Sequence, residues 1–251
     1  GSFPISIDFD EFSSQAREQS STQTQDNPLC TQTILGVDRL DYSKGIPERL
    51  KAFAQVLTDH PEYWEKLSLV QVVVPSRENV AEYQRLKEEI DGLVGEINGQ
   101  FSTLGWTPIQ YLYRSLPRQE LIGWYQQADI ALITPLRDGM NLVAKEYCAC
   151  SNDLSGVLIL SEFAGATTQL KNEALVVNPC DIDNLAQTLY RACTMPRHER
   201  EQRMQAAREK IKAQDISWWL NSFLQAAFSL EEARPRRRHT LSWMTPGRLQ
   251  A

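Results

Sequence analysis

Charged side chains recur directly after the apolar runs of this 251-residue sequence. TILGV is followed by DRLDYSKG (38–45), LSLVQVVV by PSREN (75–79), and DIALIT by PLRDGMNLVAKE (135–146). These segments supply five cations: Arg39, Lys44, Arg77, Arg137 and Lys145. Arginine can hold a phosphate through two parallel hydrogen bonds, so a cationic rim of this composition suits a phosphorylated ligand.

The spacing of Arg39 and Lys44 is suited to a diphosphate. The two cations lie five residues apart across a turn, and a helix is predicted to start near Pro47. The free N–H groups of that helix would add positive potential at the same place. On spacing alone, the alternative is a pair of surface cations that bond to the neighbouring aspartates, Asp38 and Asp41.

The stretch DGMNLVAKE (138–146) places polar groups around a short apolar run. A helix that starts near Asn141 would leave backbone N–H groups free to bind an anion or a sugar. Glu146, one turn into the helix, could then accept hydrogen bonds from ribose hydroxyls, and Asp138 from those of a second group. The alternative is a plain turn in which Asn141 caps the helix and Glu146 pairs with Lys145 or with solvent.

The elements that must position these residues alternate along the chain. Six runs rich in Val, Ile and Leu start near residues 33, 67, 109, 129, 157 and 174, and both faces of each run are apolar. Strands buried on both sides of a parallel sheet require this composition. Helical patterns are predicted over 47–58, 78–97, 117–127, 181–193, 197–213 and 215–228. The alternation predicts an α/β fold with a doubly wound, Rossmann-like parallel sheet.

The ends of the chain differ in composition from its centre. We expect a strand end over 1–8 and a polar linker or mobile loop over 13–27, where Ser, Thr and Gln dominate. The apolar helix over 215–228 must pack on something large. The predicted organisation is the end of a preceding domain with its linker over 1–32, one binding domain over 33–230, and a disordered arginine-rich tail over 231–251.

Composition excludes several classes of function. A net charge of -6 argues against broad binding to nucleic acid or to a membrane surface. The five cysteines form no C-x-x-C pair, which indicates free thiols and, with no signal sequence, a cytoplasmic protein. The D-x-D strings at 8–10 and 181–183 lie beside a linker and at a helix start, so we expect no metal site. Fingerprints of the P-loop and of dinucleotide binding are absent from the sequence.

Five long strings resemble one family. VDRLDYSKGIPERLKAF (37–53), VPSRENVAEYQRLK (74–87), INGQFSTLGWTPIQYLYRSL (97–116), TPLRDGMNLVAKEY (134–147) and SEFAGA (161–166) are similar to the retaining glycosyltransferases of family 20, the trehalose-6-phosphate synthases. The resemblance runs from about residue 33 to 228, and weakly over 3–8. It implies a GT-B enzyme that transfers glucose from a nucleotide sugar, usually UDP-glucose, to glucose 6-phosphate. The anomeric configuration is retained, and no cofactor or metal is used.

The resemblance also implies roles for individual residues. Arg39 and Lys44 would hold the donor diphosphate and stabilise it as it leaves. The transferred glucose would be held by Asp138, Gly139, Met140 and Asn141. Asp138 would position the sugar within the catalytic set of Arg39, Lys44 and Asp138. The nucleotide would be bound by Leu142, Val143, Ala144, Lys145 and Glu146, with Glu146 on the ribose. Leu116 would meet the uracil through its backbone, and Arg77 would reach the acceptor phosphate.

The resemblance covers only the C-terminal, donor-binding half of such an enzyme. The acceptor half would precede residue 1, and without it the chain should bind the donor but scarcely turn over. A homo-oligomer is compatible with this interpretation. Two alternatives stay open: half of a glucosylglycerol-phosphate synthase that uses ADP-glucose, and a non-catalytic module that binds nucleotide sugars.

Overall fold

The computed structural model describes residues 2–20 and 31–232 of the chain. Its six strands form one sheet: β1 (Gln32–Arg39), β2 (Leu67–Val74), β3 (Ile109–Tyr113), β4 (Ile130–Ile133), β5 (Val157–Ser161) and β6 (Leu175–Val177). The strand order is β3-β2-β1-β4-β5-β6, and each of the five pairings is parallel. The predicted strands and the doubly wound parallel sheet are therefore confirmed.

Helices cover both faces of this sheet. They are α1 (Phe9–Ser20), α2 (Ile46–Asp59), α3 (Ala81–Phe101), α4 (Arg118–Gln127), α5 (Leu142–Cys150), α6 (Thr167–Leu170), α7 (Ile182–Cys193), α8 (Arg197–Ala213) and α9 (Ile216–Glu232). Helices α2, α3 and α7 pack on one face, and α1, α4, α5 and α8 pack on the other. None of the helices described is long and apolar enough to cross a membrane.

Strand β1 shows why the apolar runs are continuous. Ile34 packs into the core beneath α2, α3 and α7, whereas Leu35 and Val37 pack into the core on the opposite face. A strand that is covered on both sides is apolar at most positions, so it lacks the alternation of a half-exposed strand. The helix starts also follow the sequence: Pro47 lies in the first turn of α2, and the Asp181 carboxylate caps α7 by accepting from Asn184 N at 3.0 Å.

The prediction of a linker over 13–27 is wrong for residues 13–20, which belong to helix α1. Ser13 and Ala16 are buried in α1, and Arg208 Nη2 donates to Ser13 Oγ at 3.1 Å. Gln126 Nε2 donates to the Ala16 carbonyl at 2.6 Å. Phe9, Phe12 and Ala16 pack into the same core at helical spacing, but only Phe9 and Phe12 are large, so from residue 13 onward the sequence resembles a loop. Residues 21–27 lie outside the described residues.

The two chain ends also depart from prediction. Residues 2–8 form no strand, and α9 extends to Glu232, two residues into the predicted tail. The rest of the arginine-rich tail lies outside the described residues. Large apolar side chains of α9 are exposed: Leu220, Phe223, Leu224 and Phe228. The described part of the chain therefore does not provide the large packing surface that was predicted for this helix.

Candidate functional site

The crevice at the carboxyl end of the sheet lies between β1 and β4. The chain continues from β1 to β2 on one side and from β4 to β5 on the other, so the loops that follow β1 and β4 diverge. Such a switch point is where open parallel sheets bind ligands. The first loop carries Arg39 and Lys44, and the second carries Asp138 and Asn141. The strand-end rule applied to the sequence points to this same edge of the fold.

Backbone contacts fix the two loops to each other. The N–H groups of Leu136 and Arg137 donate to the Ser43 carbonyl at 2.7 and 3.2 Å. Gly45 has a φ of 64°, and a Cβ atom there would overlap the Thr134 carbonyl oxygen. A side chain at this position would therefore be strained and would push the loops apart. The spacing between the two loops is thus set by the backbone.

Lys44 and Asp138 meet across this junction. Lys44 Nζ lies 2.6 Å from Asp138 Oδ2, and the two side chains are 14% and 16% exposed. Asn141 Nδ2 also donates to Asp138 Oδ2, at 3.2 Å. The sequence allowed Lys44 to bond to Asp38 or Asp41 instead, and the structure shows that this alternative is wrong. Asp41 accepts from Ser43, and Asp38 pairs with a buried arginine.

Asn141 caps helix α5, as predicted by the alternative in which residues 138–146 form a plain turn and helix start. Its φ is 75°, and its Oδ1 accepts from Ala144 N at 3.2 Å. This cap leaves the N–H groups of Leu142 and Val143, for which no acceptor is found in the described ranges 2–20 and 31–232. The first N–H groups of a helix point outward along its axis and favour an anion. Capping and ligand binding are therefore compatible at this helix start.

Glu146 and Lys145 point in different directions from α5. Glu146 Oε2 accepts from Tyr125 Oη at 2.8 Å, and burial raises the pKa of the Glu146 carboxyl despite this bond. Lys145 is buried, and its Nζ donates to the Ile5 carbonyl at 2.9 Å. Burial lowers the pKa of Lys145 to about 8. The alternative in which Glu146 pairs with Lys145 is therefore wrong, and so is the predicted placement of the Lys145 cation in the rim.

The other predicted cations lie around the crevice. Arg39 and Arg137 are exposed, and Arg39 has no ion-pair partner among the residues that the structure describes. Arg77 is exposed in the loop after β2, with its Nη1 donating to Tyr83 Oη at 3.0 Å. Leu116 follows β3 and packs partly buried against the α4 and α5 side of the core. Arg77 and Leu116 therefore flank the junction on its β2–β3 side.

The segment predicted to bind the sugar, residues 138–141, is hydrogen-bonded to the loop after β5. Gly165 N donates to the Asp138 carbonyl at 3.0 Å, and Ala166 N donates to the Met140 carbonyl at 2.8 Å. A Cβ atom at Gly165 would overlap the Gly139 carbonyl oxygen, whereas one at Gly139 would meet open space. Gly165 therefore allows the close approach that holds this segment in place.

Sequence reasoning missed a buried ion pair beneath the junction. Arg49 in α2 is 0% exposed, and its Nη1 donates to Asp38 Oδ2 at 2.7 Å and to Gln71 Oε1 at 3.0 Å. Its Nε donates to Thr134 Oγ1 at 3.1 Å. Burial raises the pKa of Asp38, and the Arg49 charge opposes that rise. One side chain thus joins α2 to β1, β2 and the end of β4. The only sequence signal was an arginine on the apolar face of α2.

Aspartates of both D-x-D strings form contacts at helix starts or with a lysine. Asp8 Oδ1 accepts from Glu11 N at the start of α1, Asp10 pairs with Lys212, and Asp181 caps α7. Within residues 2–20 and 31–232, no three His, Cys, Asp or Glu side chains are grouped as metal ligands would be.

This chain matches a known protein family over most of its length. The model for "Glycosyltransferase family 20" matches residues 1–228. The chain belongs to glycosyltransferase family 20. The resemblance that the sequence showed is therefore confirmed, and the family is one of glycosyltransferases.

Several family 20 relatives are similar over most of the chain. The trehalose-6-phosphate synthase of Mycobacterium leprae is 44% identical over 90% of this chain and 46% of its own length. A Burkholderia xenovorans alpha,alpha-trehalose-phosphate synthase (UDP-forming), solved in complex with glucose-6-phosphate, has a TM-score of 0.86 at 38% identity, covering 90% of this chain and 51% of that one. An E. coli structure bound with UDP-2-fluoro glucose has a TM-score of 0.85 at 39% identity, covering 93% and 52%.

These likenesses confirm a Rossmann-like domain of a GT-B glycosyltransferase. The chain spans about half the length of these relatives.

Proposed function

We propose that this chain is the donor-binding half of a retaining glucosyltransferase. The enzyme would transfer glucose from UDP-glucose to glucose 6-phosphate and release trehalose 6-phosphate. The observation that carries this proposal is the meeting of Lys44 with Asp138 at the switch point, beside the open start of α5. The UDP-2-fluoro glucose and glucose-6-phosphate in solved relatives support these substrates.

The donor would lie along the junction between the two loops. Arg39 is exposed with no ion-pair partner in the described part of the chain, so its guanidinium can reach a diphosphate. The Leu142 and Val143 N–H groups add donors at the helix start. Glu146 uses Oε2 to accept from Tyr125, so its other oxygen can accept from the ribose hydroxyls. Asp138 and the backbone of residues 139–141 would hold the glucose.

The chemistry follows from where charge develops. As the bond between glucose and diphosphate breaks, UDP leaves with the electron pair, and Arg39 and Lys44 stabilise the growing negative charge. The acceptor hydroxyl attacks the oxocarbenium-like sugar from the leaving-group face and gives its proton to a phosphate oxygen. This path uses neither a protein nucleophile nor a metal ion, since the cations of Arg39 and Lys44 provide the charge. Asp138 positions the sugar throughout.

The proposal requires a second domain that holds the acceptor. Arg77, which flanks the junction, would contribute to binding of the acceptor phosphate from this half. We also propose a cytoplasmic location, which the free thiols of Cys148, Cys150 and Cys193 support because oxidising compartments favour disulfides. A homo-oligomer stays a prediction.

Titration calorimetry of the chain with UDP tests the diphosphate assignment. We expect Arg39→Ala and Lys44→Ala each to weaken UDP binding by roughly tenfold or more, about 1.4 kcal/mol. Lys51→Ala is the matched control, because Lys51 is an exposed lysine of the neighbouring helix α2 whose partner is Glu89. Normal affinity in both site variants would overturn the assignment.

The same titration separates the alternative functions. We expect UDP-glucose to bind more tightly than ADP-glucose or GDP-glucose. A preference for ADP-glucose would favour a glucosylglycerol-phosphate synthase. Donor binding without any glucosyl transfer, even when an acceptor-binding half from a relative is added, would favour a non-catalytic module.

A further inference from the structure

A cluster of two tyrosines and one arginine joins two loops at the edge of the junction. Arg77 Nη1 donates to Tyr83 Oη at 3.0 Å, and the Arg77 guanidinium carbon lies 5.5 Å from the centre of the Tyr83 ring. The Tyr42 ring meets the Tyr83 ring edge-on, with centres 5.8 Å apart and an angle of 68° between the planes. Tyr83 thus contacts a residue of the loop after β2 and one of the loop after β1.

Arg77 is held in an uncommon way for an exposed arginine. Its backbone has a φ of 49°, in the left-handed region that residues with a Cβ adopt at a cost of about 1 kcal/mol. Such a conformation persists only where surrounding contacts impose it. The side-chain partner is a neutral hydroxyl, and no carboxylate pairs with Arg77 within the residues described. The guanidinium is therefore oriented without being neutralised, which is the condition an anion site requires.

Tyr83 is well suited to impose this orientation. It lies in the first turn of α3 and is only 3% exposed, whereas Tyr42 is 62% exposed. Tyr42 starts the 3-10 turn that ends at Lys44, the residue proposed to hold the donor diphosphate. A buried ring therefore connects the Arg77 guanidinium to the turn that carries Lys44.

We propose that Tyr83 is a positioning residue that presents Arg77 to the phosphate of the acceptor. The inference rests on the proposed function, since it takes Arg77 as a ligand of a phosphorylated acceptor. The Tyr83 hydroxyl fixes the direction of the guanidinium. Its ring packs against Tyr42 and so keeps the guanidinium at a fixed position relative to the loop that carries Lys44.

The test uses Tyr83→Phe, which removes the hydroxyl and keeps the ring. The 15N-labelled chain is titrated with inorganic phosphate and with glucose 6-phosphate while saturating UDP occupies the diphosphate site. The Arg77 Nε–H resonance, assigned by its loss in Arg77→Lys, reports binding at that side chain. We expect the Kd for phosphate at Arg77 to rise roughly three- to tenfold, because an oriented charged hydrogen bond is lost. The Kd for UDP should change by less than about twofold.

Tyr113→Phe is the matched control, because the Tyr113 hydroxyl bonds to Glu78 Oε1 at 3.2 Å and does not touch Arg77. It should change neither affinity. Faster rotation of the Arg77 guanidinium in Tyr83→Phe without any phosphate would further support the proposal.

Three results would overturn the inference. They differ in whether they also contradict the proposed role of Arg77 in the acceptor site. Equal weakening of phosphate and UDP in Tyr83→Phe would show a general structural role. Unchanged phosphate affinity in Tyr83→Phe, together with a loss in Arg77→Ala, would reject only the role of Tyr83. Unchanged phosphate affinity in Arg77→Ala would also remove Arg77 from the proposed acceptor site.

Discussion

At the scale of single residues, the Lys44–Asp138 ion pair determines how the site can bind a donor. The two side chains are mostly buried and 2.6 Å apart. Lys44 is proposed to face the diphosphate, and Asp138 to accept from glucose hydroxyls. A diphosphate must therefore compete with Asp138 for the Lys44 ammonium, which offsets part of the affinity of Lys44 for phosphate.

This competition predicts that Asp138→Asn binds UDP more tightly. Removing the carboxylate frees Lys44 for the diphosphate, and we expect a gain of roughly three- to tenfold, about 0.7–1.4 kcal/mol. UDP-glucose should gain less, because the variant also loses a carboxylate that accepts from the sugar. Calorimetry with both ligands measures the two effects separately.

Asp59→Asn provides the control, since it removes one negative charge at the far end of α2. It should leave both affinities unchanged. Weaker UDP binding in Asp138→Asn would show that Asp138 holds Lys44 in the position that binds the diphosphate. Asp138 would then not compete with the diphosphate for Lys44.

The residue scale also shows what spacing can predict. Lys44 and Asp138 are 94 positions apart, yet both follow buried strands, and strand ends meet at one edge of a parallel sheet. The rule therefore predicts their proximity. The Tyr125–Glu146 and Asp38–Arg49 bonds join a helix to another element, and no rule of spacing links such partners.

At the scale of elements, the segment that would hold the sugar is formed by a close approach of two loops. Gly165 lies against the Gly139 carbonyl, and Phe163 O accepts from Asp138 N at 3.2 Å. The position of Asp138 therefore depends on the loop after β5 as well as on its own strand. Any side chain at Gly165 must separate the two loops.

Gly165→Ala should weaken binding of UDP-glucose more than binding of UDP. The added methyl group would displace the 138–141 segment. We also expect a loss of about 1–3 kcal/mol in stability, which is the usual cost of overpacking a filled region. Thermal unfolding and calorimetry with both ligands measure the two effects.

Gly92→Ala is the matched control for this change. Gly92 lies in helix α3, where a Cβ atom would meet open space. We expect this variant to gain about 0.5–1 kcal/mol in stability from better helix propensity, with no change in binding. Equal losses for UDP and UDP-glucose in Gly165→Ala would contradict a specific effect on the sugar segment.

Elements were predictable where burial leaves a pattern in the sequence. The six strands were found because burial on both faces of the sheet forces continuous apolar runs. Helix α1 was missed because its large apolar residues, Phe9 and Phe12, precede residue 13, whereas Ser13 and Ala16 are small and accept hydrogen bonds from Arg208 and Gln126. Contacts of this kind depend on groups far away in the sequence, and no local periodicity records them.

At the scale of the whole molecule, residues 3–7 are hydrogen-bonded to helices α5 and α9. Alternate carbonyls accept from three donors: Phe3 from Trp219 Nε1 at 3.0 Å, Ile5 from Lys145 Nζ at 2.9 Å, and Ile7 from Ile216 N at 2.9 Å. The helix that begins with the proposed donor-binding N–H groups thus also anchors the N-terminal segment.

The Lys145 contact predicts a pH dependence of stability with a definite sign. Burial lowers the pKa of Lys145 in the folded chain from 10.5 to about 8. Between these values the unfolded chain binds more protons than the folded chain, so the contribution of Lys145 to stability increases as pH rises. From pH 7 to pH 10.5, wild type should gain up to about 3 kcal/mol relative to Lys145→Met.

Urea unfolding of both proteins across this range measures the difference, and Lys212→Met supplies the reference for an exposed lysine on α8. Its stability should change with pH in parallel with wild type, because this variant keeps Lys145. The neutral Lys145 amine can still donate to the Ile5 carbonyl, so the N-terminal segment should stay bound at high pH. A stability difference between wild type and Lys145→Met that does not vary with pH would show that the amine remains hydrated and charged.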